Sequence, residues 1–298
     1  MDEQKVKETL ISWRHTLHAH PETAFEEVET ARFVADKLRA MGCTVHEGIG
    51  GTGVVADLTV GDGKKVIGLR ADMDAINVKE VGTPTYQSQN PGKMHACGHD
   101  AHMAMALTAA VYVDCVLRER PGELGRNVLF VFQPAEETTG GAKTVCESGV
   151  FERYHVDRIF GFHVWPDLPA GTVASCAGPM LARASETHVR IHGESIHIAK
   201  TLGVHEAESH DAALAAARFL VAERELMDRL GAEEPCICKF GLVEAGTVCN
   251  VVAGEAHLAG SLRVFTDSML DVRARAVRCA LEEAVWPTYG LHLRSRFC

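Results

Sequence analysis

The segment His95-Ala96-Cys97-Gly98-His99-Asp100-Ala101-His102 gathers three histidines, a thiol and a carboxylate within eight residues. A thiolate and an imidazole two residues apart can face one cation from a loop. The ordinary alternatives are a chance cluster or a structural zinc knuckle. A knuckle wants a closed set of four Cys/His ligands, and the neighbouring sequence offers no second pair. A second group is Gln133-Pro134-Ala135-Glu136-Glu137, which follows the apolar run NVLFVFQ. Adjacent carboxylates at a strand end point in different directions, so one can hold a metal while the other stays free as a base. A solvated Glu pair opening a loop is the commoner fate of such a dipeptide. The third group is Phe160-Gly161-Phe162-His163-Val164-Trp165-Pro166, where His163 stands near a strand end. A His in an apolar strand is more often a satisfied core residue than a ligand. Three candidate groups at three strand ends nevertheless reinforce one another.

The elements that position these groups alternate between strand and helix. Apolar spacing predicts helices over 3–20 and 24–41, with Pro21 and Gly42 as stops. Strands are expected over 53–60 and 65–71, the second ending in the charged run Arg70 to Asp74. A loop over 75–94, a helix over 100–118, a buried strand over 127–133, a helix within 139–148 and a strand over 158–164 follow. Alternation of this kind predicts a largely parallel sheet in a three-layer α/β domain. Functional groups then collect at the carboxyl ends of the strands. Beyond about residue 182 the pattern changes to strand 187–192, helix 207–225, strands 236–245 and 255–265, helix 268–286 and strand 292–297. This β-α-β-β-α-β order is the ferredoxin-like split motif. Two domains are expected, 1–182 and 183–298.

Composition narrows the functional class. The 298 residues are 46% hydrophobic and 23% charged, the profile of a globular protein with a full core. A net charge of -10 disfavours nucleic-acid binding, which calls for a basic face. The ten cysteines are scattered, with only Cys236 and Cys238 as a C-x-C, and match neither a disulfide framework nor a zinc finger. No apolar segment follows the polar first residues, and no run of about 18 apolar residues appears. The expectation is a cytoplasmic protein without membrane contact.

The stretches RHTLHAHPETAFEE (14–27), LRADMDAI (69–76), MHACGHDAHMAMAL (94–107), FQPAEETTGGA (132–142) and GFHVWPDLPAGTV (161–173) resemble the M20 peptidase family. Within it they are similar to the aminoacylase, hippurate hydrolase and auxin-conjugate hydrolase branch. The resemblance implies a Zn-peptidase-like catalytic domain with a ferredoxin-like lid, or dimerisation, domain. It implies two divalent metals per subunit, Cys97 standing where other branches place a bridging carboxylate, and His99, Glu137 and His163 as further ligands. Glu136 matches the general base and Asp74 a group that orients a ligand. His18 and His20 lie in a motif near the site. A bridging thiolate is soft, which favours zinc, manganese, cobalt or nickel. In the lid, the resemblance points to His197, Asn250 and Arg263 as substrate-binding residues. The ordinary readings are turn residues for His197 and Asn250 and a surface strand charge for Arg263. The implied activity is hydrolysis of the amide bond of an N-acyl or N-aroyl amino acid by a metal-activated water, in a homodimer formed through the lid.

Two features depart from the family pattern. The small-residue setting of the lid His is altered by Glu194, Ser195 and Ile196. The family's segment that returns to the catalytic domain after the lid, with a final metal-ligating His, has no counterpart before Cys298. From this follow the expectations of a weakly held second metal and exposed apolar sheet surface. Two other readings therefore stand beside the enzyme: a weak or inactive M20-like binding or dimerising module, and a hydrolytic deaminase or amidase on a non-peptide amine.

Overall fold

The computed structural model describes residues 2–58, 65–120, 126–138, 140–203, 210–233, 235–289 and 294–297. The chain divides into two compact units, Met1–Ala170 and Gly171–Cys298.

Unit 1 opens with helix α1 (Glu3–Ala19), whose N-cap Asp2 accepts from the backbone N–H of Gln4 at 3.0 Å. Helix α2 (Val28–Ala40) follows, and then a hairpin of β1 (Thr44–Ile49) and β2 (Gly53–Leu58). Strand β3 (Val66–Asp72), helix α3 (His99–Glu119), strand β4 (Asn127–Gln133), helices α4 (Gly141–Glu147) and α5 (Val150–Arg153), and strand β5 (Val156–Gly161) complete it. The sheet order is β1-β2-β4-β3-β5. β4 is flanked on both sides and buried along its whole length, which is why its sequence is apolar from Val128 to Phe132. One face of the sheet packs Leu17, Val34, Leu38, Met103 and Leu107 from α1 to α3. The other packs Val145 and Val150 from α4 and α5. The three layers are as expected.

The sheet is mixed rather than largely parallel. β3 pairs in parallel with β4 and β5, while β1–β2 and β2–β4 are antiparallel. The turn between β1 and β2 contains Gly50 and Gly51 at φ 65° and 116°, a left-handed region that glycine enters at no steric cost. That turn lets β2 fold straight back from β1, and β1 itself has too polar a sequence to read as a strand. β5 ends at Gly161, earlier than expected. As an edge strand it leaves Ile159 and Phe160 half exposed, with Phe162 just beyond it.

Unit 2 comprises β6 (Arg183–His192), helix α6 (Ala212–Glu233), β7 (Ile237–Ala245), β8 (Glu255–Val264), helix α7 (Asp267–Tyr289) and β9 (Arg294–Phe297). The all-antiparallel order β7-β8-β6-β9 is that of the split β-α-β motif. Residues 207–209 of the expected helix 207–225, 292 and 293 of the expected last strand, 59 and 60 of β2's, and Thr139 lie outside the described residues. Val189, Ile191, Leu258 and Leu262 alternate inward against Phe219 of α6 and Val277 and Leu281 of α7. Among the described residues no helix is long and apolar enough to cross a membrane.

Candidate metal centre

The parallel pairing of β3 with β4 sets Asp72 opposite Gln133, so the turns that leave both strands lie side by side. Asp74, just past β3, accepts the backbone N–H of Glu136 on Oδ1 and that of Glu137 on Oδ2, both at 2.9 Å. One buried carboxylate thus fixes both glutamates. Burial pushes the Asp74 carboxyl up, but His99 and these two N–H donors outweigh it and hold the group below its ordinary range. Ala135 precedes the pair at φ 50°, a left-handed conformation that costs an alanine roughly 1–2 kcal/mol. It is held there by Glu27, whose fully buried carboxylate accepts the Ala135 N–H at 2.9 Å and bonds the Thr52 hydroxyl. The turn that aims Glu136 and Glu137 is therefore maintained by its surroundings.

His99 is the first residue of α3. Its Nδ1 donates to the Asp74 carbonyl at 2.8 Å, which leaves Nε2 as the lone-pair nitrogen. That Nε2 is buried and has no hydrogen-bond partner among the described residues. It lies 3.6 Å from a Glu137 oxygen, 3.8 Å from Glu136 Oε2 and 3.7 Å from Asp72 Oδ2. An unpartnered imidazole nitrogen facing carboxylates is a donor set that calls for a cation, so these residues fit a divalent metal. His99, Glu136 and Glu137 lie close enough together to share one. Burial lowers the His99 pKa, but Asp74 and Asp72 prevail and raise it. Burial, with Asp72 and Glu137 beside it, raises Glu136, the direction a general base requires.

Cys97 is half-buried, and its thiol is pushed up to about 12 by burial and by a hydrogen bond to Glu137. It borders an open groove of about 460 Å³ shared with His163, Val164, Trp165 and Pro166. His163 is exposed; its Nδ1 donates to the Val164 carbonyl at 2.7 Å and leaves Nε2 available. Its ring centre is 6.4 Å from that of His99. Unit 1 therefore brings together Cys97, His99, Glu136, Glu137, His163 and Asp74.

In unit 2, His197 and Asn250 meet: His197 bridges to Val251, and the Ile198 N–H donates to the Asn250 carbonyl at 3.1 Å. Both are exposed. Arg263 stands at the other end of β8, on the sheet face opposite the helices, paired with Ala184 and Ile237.

Four buried groups had no role assigned from sequence. Glu27 was one. His18 donates from Nδ1 to Asp100 at 2.8 Å, faces Glu80 at 3.3 Å, and shares Asp100 with Arg14. Asp72 and His102 form the third and fourth. With His99 they make a buried trio compact enough for a metal. Two of its members are already engaged: Asp72 accepts from His102 Nδ1 and from Arg70 Nη1, each at 2.6 Å, and His102 Nε2 accepts the Val164 N–H at 2.9 Å. Burial raises Asp72, yet His102 and Arg70 bring it down to about 2. The only signal for His102 was its membership of the eight-residue cluster.

A family model described as peptidase family M20/M25/M40 matches residues 68–278. The IAA-amino acid hydrolase ILR1-like 4 of Arabidopsis thaliana is 38% identical over 280 residues, covering 92% of this chain and 60% of that protein. The N-acyl-L-amino acid amidohydrolase of Geobacillus stearothermophilus is 35% identical over 267 residues, covering 89% and 69%. The chain thus spans about three fifths to two thirds of these relatives' length. The YXEP protein of Bacillus subtilis, a dinuclear metal-binding peptidase from the M20 family, superposes with a TM-score of 0.75 at 29% identity, over 99% of this chain and 74% of that one.

Proposed function

Because the chain belongs to peptidase family M20/M25/M40, we propose that it hydrolyses the amide bond of an N-acyl or N-aroyl amino acid at the strand ends of unit 1. The observation that carries this reading is the buried, unpartnered Nε2 of His99 facing the Glu136–Glu137 pair, whose backbone Asp74 holds. Cys97, His99, Glu137 and His163 are the ligands in this reading, for zinc, manganese, cobalt or nickel. A divalent metal bound there supplies Lewis-acid polarisation of the amide carbonyl and acidifies a water. Glu136 takes the proton of the attacking water and delivers it to the leaving amine. Its raised pKa suits both halves of that transfer. Asp74 keeps Glu136 and Glu137 in fixed relation, so that base and ligand do not exchange places. The groove beside Cys97 and Trp165 has room for the acyl group. Similarity to an IAA-amino acid hydrolase and to an N-acyl-L-amino acid amidohydrolase favours conjugated amino acids over a non-peptide amine. His197, Asn250 and Arg263 are the substrate-binding residues of this reading.

The test is metal-stripped protein reloaded with each of the four metals and assayed on N-acetyl and N-benzoyl amino acids, with bound metal counted per chain. Hydrolysis that depends on added metal supports the reading. Stoichiometric binding without turnover supports the binding or dimerising module instead. For the dimer, β7 is an edge strand that leaves Ile237, Leu242 and Val243 exposed, a surface suited to pairing with a second copy. A mass by light scattering that stays monomeric at all concentrations refutes it.

A further inference from the structure

We propose that His102 is a positioning residue that clamps the loop carrying His163 onto the start of α3, in one tautomer set by Asp72. The inference rests on the reading of His163 as a ligand.

A backbone N–H can only donate, so the 2.9 Å contact from Val164 N makes His102 Nε2 an acceptor without a proton. The ring proton then sits on Nδ1, which donates to Asp72 Oδ1 at 2.6 Å. Asp72 is in turn fixed through its other oxygen by Arg70 at 2.6 Å, and Arg70 Nε donates to Gln133 at 3.0 Å. A chain of bonds thus runs from the ends of β3 and β4 through α3 to the residue after His163. Two further contacts converge on the same loop. The His102 and His163 rings meet edge to face at 4.6 Å. Gly98, the N-cap of α3 at φ 85°, leaves room for Val164: a Cβ there would stand 2.4 Å from Val164 Cγ2. The exposed His163 is anchored by its own neighbour's backbone, and that anchor is His102.

Asp72→Asn is close in shape and tests the tautomer. Arg70 claims the remaining oxygen, so the amide NH2 faces His102 Nδ1. The ring proton must then move to Nε2, where it opposes the Val164 N–H. Partners behind a metal ligand are typically worth about 10–100-fold in metal affinity. We expect zinc affinity, measured by chelator competition, to fall by about that factor in Asp72→Asn and in His102→Ala. His102→Gln, which can still present an oxygen to Val164, should recover part of the loss. His102→Asn, which reaches only Asp72, should not. Nitrogen-15 NMR of the histidine rings should show His102 protonated at Nδ1 in the parent and at Nε2 in Asp72→Asn. Equal affinities for the Gln and Asn variants, or an unchanged tautomer in Asp72→Asn, overturn the proposal. If His163→Ala weakens zinc binding while His102→Ala does not, the clamp fails and the ligand reading stands. If His163→Ala leaves zinc affinity unchanged, the ligand reading fails and the clamp falls with it.

Discussion

Around the carboxyl ends of β3 and β4, unit 1 buries His18, Glu27, Asp72, Asp74, His95, His99, Asp100 and His102 in one neighbourhood, whereas the described polar and charged residues that unit 2 buries are Ser185, Thr187, Glu223 and Arg273. Buried polar groups cost free energy unless they are bonded. In unit 1 most of them bond to one another: His18 to Asp100, His102 to Asp72, Asp74 to two backbone N–H groups. Among the described residues of unit 1, the buried side-chain atoms left without partners are on His95, His99 and Asp100, in or beside the candidate ligand segment. In unit 2 the core is a sheet face closed by two helices, with Phe219 at 0% exposure against Phe240, ring centres 5.3 Å apart. The difference separates two kinds of interior. Both are packed; unit 1 adds to its apolar clusters a group of charged and imidazole side chains gathered at the strand ends.

If that division is right, changes at the two places should damage different properties. Glu136→Ala should lower the rate of amide hydrolysis by about 10²–10⁴, the usual contribution of a general base. Its side chain is 43% exposed, so thermal stability and metal content should stay close to the parent's. Equal metal loss in Glu136→Ala and Glu137→Ala breaks the separation of base from ligand. Phe219→Ala should do the reverse. Emptying that site should destabilise unit 2 by about 3–5 kcal/mol in denaturant unfolding. Zinc affinity at the unit 1 site should hold; a parallel fall in affinity removes the contrast.

Gly98→Ala falls between the two kinds of effect. The left-handed φ costs an alanine about 1–2 kcal/mol, and the new methyl displaces Val164 from α3. A lowered melting temperature together with weaker zinc binding is expected. Loss of stability with full zinc affinity makes Gly98 a matter of backbone geometry alone.

The candidate ligands could be picked out in the sequence because each lies in a short contiguous motif at a strand end, where residue type and position point the same way. His102 stood in the same cluster, yet its role could not be read. One of its partners, Asp72, is 30 residues away, and the other is the backbone N–H of Val164. A sequence does not spell backbone donors. Glu27 was hidden for the same reason, since it supports Ala135 across 108 residues. The β-α-β-β-α-β order of unit 2 was readable because inward and outward residues alternate along β6 and at both ends of β8. β1 was not, because Thr44–Ile49 is a strand only through its pairing with β2. β5 was placed too late because Phe160, Phe162 and Val164 mimic a strand's alternation. The chain leaves the sheet at Gly161, and those side chains are partly exposed.

The smallest effect we expect is a gain. Glu223 on α6 is 3% exposed, and its Oε1 has no hydrogen-bond partner among the described residues. Burial raises its pKa, against the pull of Lys239 and the Cys238 thiol, and Cys238 is itself pushed up to about 12 by burial and by Glu223. A carboxyl whose pKa is raised on folding binds its proton more tightly in the native state. Its contribution to stability is fully present below the unfolded pKa and is lost as pH rises through the folded pKa. At neutral pH the ionised form is therefore a burden on unit 2. Glu223→Gln keeps the shape and leaves an oxygen for the Cys238 S–H. It should stabilise the protein by about 1 kcal/mol at pH 7, the low end of what an imperfectly bonded buried polar group costs. The gain should shrink as pH falls and vanish below the unfolded pKa, where parent and variant are both neutral. Asp72, whose pKa is lowered, should behave with the opposite sign: its stabilisation is present above the unfolded value and lost only as pH falls toward about 2. Urea unfolding of the parent, Glu223→Gln and Asp72→Asn from neutral pH down to about 2 reads both signs at once. A Glu223→Gln variant less stable than the parent at pH 7 means that unit 2 also relies on a buried charge, and the contrast between the two interiors does not hold.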